Sequence, residues 1–390
     1  MVSLVGTWVQ QVALSWLVLE MTDSAFWLGT VSAIGAAPIL ILSLPGGVAA
    51  DHFSKRKLLL ITQSVMMVLA FLLAFLTHFQ YLRIWHIVAL STLSGSAFAF
   101  DAPARQAYTA ELVDRENLMN AIALNSTIFN TARVLGPALA GFLFALIGPA
   151  GCFAINGASY LAVIYGLWLI RSGRRASGRG NPWQELKAGL GYVRSRRDIS
   201  LLMLVVAAFS IFGMPYAVLM PIFARDILHL QARGFGLMMT MVGLGAIIGA
   251  IGLAAFSQMR KRGRYVLVSG LLFVGALTVF AISRNRYLSL ICLPVIGFTM
   301  VSQVATINTI IQGLVPDELR GRVMSFFTLV FMGMMPIGSF IAGSIAGRFG
   351  APAALLLGAA VCLATLTAAF YGRNDRSEER RVGKECRSRW

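Results

Sequence analysis

Acid is what this sequence most lacks. Asp and Glu together number 16 in 390 residues, against 33 Lys and Arg, and charges of both signs make up only 13% of the chain. Soluble domains carry about twice that fraction. With 57% hydrophobic residues and a mean hydropathy of +0.75, the soluble globular class is excluded. Histidine is scarcer still: His52, His78, His86 and His229 are scattered, so no His/Asp/Glu cluster offers the centre of a membrane-embedded enzyme. Cys152, Cys292, Cys362 and Cys386 give no disulfide framework and no metal-site spacing. There is no cleavable signal pattern, and the first apolar run reads as a membrane segment itself. None of the acidic residues falls near the centre of an apolar run; Glu20, Asp101 and Asp226 read as lying at helix ends. The net charge of +17 is not a nucleic-acid footprint, since no basic patch is interleaved with aromatics.

What the chain does have is long apolar runs punctuated by basic turns. Phe26 to Ala50 holds no charged residue, and neither does Leu58 to Thr77. A bilayer core takes about 20 helical residues. The turn between them, Gly47-Val48-Ala49-Ala50-Asp51-His52-Phe53-Ser54-Lys55-Arg56-Lys57, therefore sits at a membrane surface, and its bases assign that surface to the cytoplasm. Continuing in this way gives an all-α polytopic membrane protein of twelve helices with both termini cytoplasmic. Helix 1 covers Met1 to Leu19 and reads as truncated at its start; helix 2 runs from about Trp27 to Ala50, helix 3 from Leu58 to Thr77 and helix 4 from Trp85 to Phe100. Helix 5 runs from about Asn120 to Ile147, and helix 6 ends near Ile170. Residues 171–197 form a basic linker rich in Ser, Gly and Pro, within which Trp183 to Tyr192 is an expected amphipathic helix on the membrane surface. Helix 7 ends near Phe223, helix 8 spans Phe235 to Ser257, helices 9 and 10 cover Tyr265 to Ile282 and Tyr287 to Leu314, and helix 12 ends near Tyr371. On this reading the cytoplasmic loops hold 19 of the 33 bases. Residues 373–390 are dense in charge without periodicity and read as a non-native tail, the alternative being a cytoplasmic tail on anionic lipid.

The pattern Gly-x-x-x-Asp followed by bases resembles the signature between helices 2 and 3 of the major facilitator superfamily of secondary transporters. Gly47, Asp51, Lys55 and Arg56 match it, while His52 and Ser54 replace an Arg and a Gly. Gly6-Thr7-Trp8, Asp101-x-Pro103-Ala104-Arg105-Gln106 and Arg133-x-x-Gly136-Pro137 are most similar to bacterial exporters of the enterobactin-exporter and macrolide-efflux type. Two internal echoes point to duplication: Gly252…Phe256…Arg260 for Gly47…Asp51…Lys55, and Leu314 to Glu318 with Pro336…Gly343 for Leu112 to Glu116 with Gly136-Pro137…Gly141. The resemblance implies two parallel six-helix halves, residues 1–170 and 198–372, with a substrate site near the midplane between them.

It also implies site residues. Gly47, Asp51, Lys55, Arg56, Asp101 and Arg105 would form a cytoplasmic gate, with Arg105 as partner of Asp51; the plainer reading is solvated loop charge. Gly136, Pro137 and Gly141 form a helix-5 motif associated with export in related antiporters, although small residues and a proline equally serve close packing and a kink. Arg133 stands out as a guanidinium inside a span, which costs several kcal/mol unless paired or facing water. Either it faces the cavity and binds an anionic substrate group, or it lies nearer the cytoplasmic end and snorkels or pairs with Asp101. Gln10, Gln11, Asn125, Asn130, Gln303 and Asn308 are cavity candidates or interhelical glue.

The expectation is therefore a monomeric secondary transporter in the bacterial cytoplasmic (inner) membrane, exporting amphipathic small molecules of the drug or siderophore class by alternating access. It needs no cofactor or metal and, as the resemblance implies, runs on the proton gradient, with Asp101, Glu20, His86 or some group the sequence does not reveal carrying the proton. Its partners are the small-molecule substrate and the lipid bilayer, not nucleic acid. An uptake permease of the same fold and a non-transporting receptor are the alternatives.

Overall fold

The computed structural model describes residues 1–114, 117–170, 182–255 and 262–387; for some of these, Asp51, Asn130 and residues 372–387 among them, the side chains lie outside the description. With no water in a bilayer core, backbone N–H and C=O groups must be satisfied within the chain, and apolar runs of this length answer with helices. No strand occurs among the described residues. The helices are α1 (Val2–Thr22), α2 (Ala25–His52), α3 (Lys55–His78), α4 (Ile84–Glu111), α5 (Leu118–Leu169), α6 (Pro182–Ser195), α7 (Arg197–Ala208), α8 (Tyr216–Ile222), α9 (Ala232–Ala255), α10 (Arg262–Ile282), α11 (Arg286–Leu314), α12 (Asp317–Gly333), α13 (Met335–Phe349) and α14 (Ala351–Arg387). π-helical turns at Phe209–Gly213 and Phe223–Ile227 join α7 and α8 into one span that ends at Ile227, beyond the expected Phe223. Eleven of the described segments are long and apolar enough to cross a membrane.

One of those segments is a hairpin. As a straight rod the 52 residues of α5 would reach about 78 Å, more than twice the bilayer core. At Gly148 the backbone turns to φ 68°, ψ −178°, a conformation that favours glycine. Two contacts show that the chain folds back there. Gly136 packs on Val5 and Trp8 of α1, while Asn156 and Ser159 pack on Gly6 of the same helix. Along a straight helix Gly136 and Ser159 would stand about 35 Å apart. The expectation of twelve spans depends on counting the two arms of α5 separately.

Two helix ends differ from the sequence reading. Helix 4 does not stop at Phe100 but passes through Pro103 to Glu111, so Asp101 lies inside the helix. Pro103 has no N–H to give the carbonyl of Ala99. That carbonyl is instead turned to Gly46 of α2, where the missing side chain lets the backbones touch. The expected amphipathic helix of the linker forms as α6, but Gly189 sets it against Arg322 of α12, so it is docked on the bundle.

The same helix contacts occur twice. Gly95 of α4 lies on the carbonyl of Gly35 in α2, and Gly297 of α11 lies on the carbonyl of Val242 in α9. Gly29 of α2 meets Gly343 and the Ser339 carbonyl of α13, while Gly236 of α9 meets Gly141 and the Pro137 carbonyl of α5. Phe71 on Gly157 (α3, α5) is matched by Leu366 on Gly270 (α14, α10). The helix contacts of the first half thus recur in the second, and the halves meet through α2 with α13 and α5 with α9. Gly141 does answer to Gly343, but Pro137 answers to Ser339 and not to Pro336. The register along α2 and α9 also moves the expected pairing of Gly47 with Gly252 by two residues; Phe256 lies outside the described residues.

These contacts rank the glycines. A Cβ at Gly95 would run into the Gly35 backbone, which cannot repack, so Gly95→Ala should cost about 3 kcal/mol, the upper end of overpacking penalties. Gly275 has open space where a Cβ would go, and Gly275→Ala should be neutral within about 0.5 kcal/mol. Thermal unfolding of the two variants in lipid nanodiscs checks the difference.

Candidate functional site

The polar residues of the first half assemble into two knots beside the basic turn. Asp101 is fully buried, about 15 Å along α4 from the end at Glu111. Its Oδ1 accepts from Thr62 Oγ1 at 2.9 Å and Gln63 Nε2 at 2.7 Å, both on α3, and its Oδ2 pairs with Arg105 one turn on. Tyr160 of α5 lies within electrostatic range of both Asp101 and Arg105. Buried charge is tolerated only when paired and hydrogen-bonded, and here all the partners come from one half. Nearer the helix ends, Lys55 is 6% exposed and binds Glu111 at 2.6 Å. Arg56 donates to the carbonyls of Leu167 and Trp168, both at 2.7 Å, closing the C-terminus of α5.

Arg105 is therefore a partner of Asp101, while the expected Asp51–Arg105 pair involves a side chain outside the described residues. Gly47 has nothing within 4 Å of where a Cβ would stand. Lys55, Arg56, Asp101 and Arg105 bind α3, α4 and α5 together, not one half to the other. The proton candidates outside this knot sit at helix ends, where Glu20 accepts from Trp16 Nε1 and His86 accepts from the Arg83 amide at 3.1 Å.

The repeat gives this knot a counterpart. Six residues beyond Gly95 is Asp101; six beyond Gly297, on the equally unbroken α11, is Gln303. Thr62 turns its hydroxyl to the carbonyl of Leu59, and Ser269 of α10 turns its own to Val266. The next residues, Gln63 and Gly270, face Asp101 and Gln303 in turn. Gln303 is 1% exposed, and neither head atom of its amide has a partner; nor does the hydroxyl of Ser302. The second half keeps the frame and lacks the charge, with Ile307 where Arg105 stands. Gln303 thus packs inside its own half and does not line the space between halves.

The other cavity candidates divide. Gln10 accepts from Asn156 at 2.7 Å, which makes it glue between α1 and α5. Gln11 and Asn125 are exposed, Asn308 accepts from Gln312 at 2.8 Å, and Asn130 lies outside the described side chains. Gly136 packs on α1 and Gly141 on α9, so the helix-5 motif serves a contact within the first half and one between the halves. Arg133 is at mid-helix: 15 residues separate it from Leu118 and 15 from the break at Gly148, about 22 Å either way. It does not pair with Asp101. Its Nε and Nη2 are buried without a partner, and the ionisable group in its field is Tyr216 of α8, in the other half.

The halves close on each other at one end of the bundle. Besides the two glycine contacts, Ser32 reaches Ser339 at 3.4 Å, Phe26 meets Phe340 edge-on at 5.9 Å, and Trp16 stacks on Phe235 at 6.0 Å. Arg225, beyond α8, pairs with Asp23 in the α1–α2 turn and with Asp226, and donates to the Leu19 carbonyl at 3.2 Å. Sequence reasoning missed this clasp, Asn156 and Tyr216. The first two residues of the clasp showed only as loop charges, and nothing short of the fold pairs residues 202 apart.

The Asp101 knot makes a ranking. Removing one partner from a buried pair costs about 3–5 kcal/mol, so Asp101→Ala should lower the unfolding midpoint strongly. Arg105→Ala should lower it at least as far, because it strands the fully buried Asp101 carboxylate without its counter-ion, whereas the Arg105 left by Asp101→Ala is 37% exposed and can turn to solvent. Thermal unfolding of both single variants and the double variant gives the coupling between them.

Comparison with known proteins agrees with this architecture. Residues 1–384 match the family model described as "Transmembrane secretion effector". The chain is 28% identical over 347 residues to the staphyloferrin A transporter of Staphylococcus aureus, covering 88% of this chain and 87% of that protein. It is 24% identical over 364 residues to the multidrug efflux pump Tap of Mycolicibacterium fortuitum, covering 90% and 88%. Its fold superposes with a TM-score of 0.77, at 11% identity and over 96% of this chain and 94% of the other, on a bacterial homologue of the lysosomal transporter Spinster in an inward-facing and occupied conformation. An all-helical fold with duplicated helix contacts, matched by the family model along nearly its whole length, makes this chain a multi-pass membrane transporter of the transmembrane secretion effector family, within the major facilitator superfamily.

Proposed function

We propose that the protein exports amphipathic small molecules of the drug or siderophore class across the bacterial cytoplasmic membrane, by alternating access and at the expense of the proton gradient. The observation that carries this reading is the one-sided closure. Gly29 on Gly343 and Gly141 on Gly236 bring the halves together, backbone to backbone, at the end that holds Asp23 and Arg225. Among the described residues no comparable contact joins the halves at the end that holds Lys55, Arg56 and Arg262. Basic loops mark that second end as cytoplasmic, so the arrangement is open inward. Two halves that can close on one side and part on the other need only rock to expose a central site alternately.

The substrate class is supported by the printed names of the relatives, a siderophore transporter and a multidrug efflux pump. Proton coupling is assigned to Asp101. Among the described residues it is the one carboxylate lying more than two turns inside a span, and its counterpart Gln303 cannot carry a charge. A proton at Asp101 would loosen its hold on Arg105, Gln63 and Thr62, and with it the packing of α3 on α4.

In an efflux-deficient bacterium the protein should confer resistance to some amphipathic drugs or siderophores. Collapsing the pH gradient should abolish it, and so should Asp101→Asn at equal membrane abundance. Absence of any protection, with the protein abundant in the membrane, overturns export. Protection that survives loss of the pH gradient overturns proton coupling.

A further inference from the structure

Among the described residues, four other bases of the bundle have partners in the fold. Lys55 has Glu111, Arg105 has Asp101, Arg56 has two C-terminal carbonyls and Arg225 has Asp23 and Asp226. Arg133 differs from these. It sits midway along the first arm of α5, where a charge is least tolerated, and two of its three guanidinium nitrogens are sealed from solvent with no acceptor.

Its position is as informative as its lack of a partner. The carbonyl of Arg133, which Pro137 leaves without a helical donor, and the side chain of Val134 face Gly243 of α9. A Cβ at Gly243 would lie 2.8 Å from Val134 Cγ2 and 3.3 Å from that carbonyl oxygen. On the second side stands Tyr216, 4% exposed, just after the π-turn and the Met214-Pro215 break in its span. Both α8 and α9 belong to the second half, so Arg133 lies at the seam that parts when the halves rock. Among the described residues no carboxylate shares its field. A half-buried positive charge at mid-span, without a counter-ion among the described residues, is complementary to an anion.

We propose that Arg133 and the Tyr216 hydroxyl form an oxyanion-binding site at the seam between the halves, which takes a carboxylate group of the transported solute. This rests on the transport reading and narrows its substrate class to amphipathic acids. At that site the solute's carboxylate supplies the charge that the protein omits. A guanidinium suits this role because its fixed fork matches the two oxygens of a carboxylate.

The test uses purified protein in nanodiscs for binding and in proteoliposomes for transport, with a citrate-type hydroxycarboxylate siderophore as probe and the cation ethidium as counter-probe. Wild type should bind the carboxylate probe and be thermally stabilised by it. Arg133→Gln should weaken that binding at least tenfold while the ligand-free protein melts no lower than wild type, because a buried uncompensated charge has gone. Arg133→Lys should recover only part of the binding, since it keeps the charge and loses the fork, Tyr216→Phe should weaken it several-fold, and ethidium should be unaffected by any of the three. Equal carboxylate binding by wild type and Arg133→Gln overturns the proposal, as does failure of wild type to bind the carboxylate, or a parallel loss for both probes. Carboxylate binding that depends on Arg133 without uptake into proteoliposomes leaves the site standing and overturns the transport reading instead.

Discussion

The architecture depends on backbones coming closer than side chains allow. In lipid the hydrophobic effect does not drive one apolar helix against another, so association rests on van der Waals contact and on hydrogen bonds between spans. Glycine supplies the first: Gly35 with Gly95 inside one half, Gly297 on Val242 inside the other, and Gly29 with Gly343 and Gly141 with Gly236 between them. The last two hold the halves by backbone-to-backbone contact, which suits the rocking proposed for transport.

The second constraint is the handling of charge. At bilayer depth an ionised group needs partners, and the first half meets this with a complete set around Asp101. The repeat shows that this is a choice and not a requirement of the fold, because the second half holds the same position with Gln303 and loses both the charge and the hydrogen bonds. Gln303 and Ser302 leave buried polar atoms unsatisfied, normally a cost of about 1–3 kcal/mol each. The α3–α4 pair is thus tied by side-chain hydrogen bonds that Gln303 does not make between α10 and α11.

Much of this was legible in residue order. Helices 2, 3 and 10 could be placed to within a few residues because lipid leaves an apolar run no alternative. The superfamily signature was visible at Gly47 and in the Arg133 to Gly141 segment, and the lack of His and acid already spoke against an embedded enzyme. Asp101 was misplaced for a definite reason. Pro103 reads as a helix terminator, and only the apposition of Gly46 with the unbonded Ala99 carbonyl shows why the helix continues past it.

Composition and periodicity by themselves determined that the chain lives in a membrane, that it is helical throughout its spans, that its basic turns face one side, and that Arg133 is an anomaly needing explanation. These are local properties: each follows from a short window of residues and the solvent around it. Tertiary structure decided which residues meet. It paired Asp101 with Gln63 and Arg105, tied Gln10 to Asn156, joined Asp23 to Arg225 and left two guanidinium nitrogens of Arg133 without a partner. Those outcomes depend on helix register and crossing between segments up to about three hundred residues apart, as with Ser32 and Ser339, and spacing along a sequence carries no distance in space.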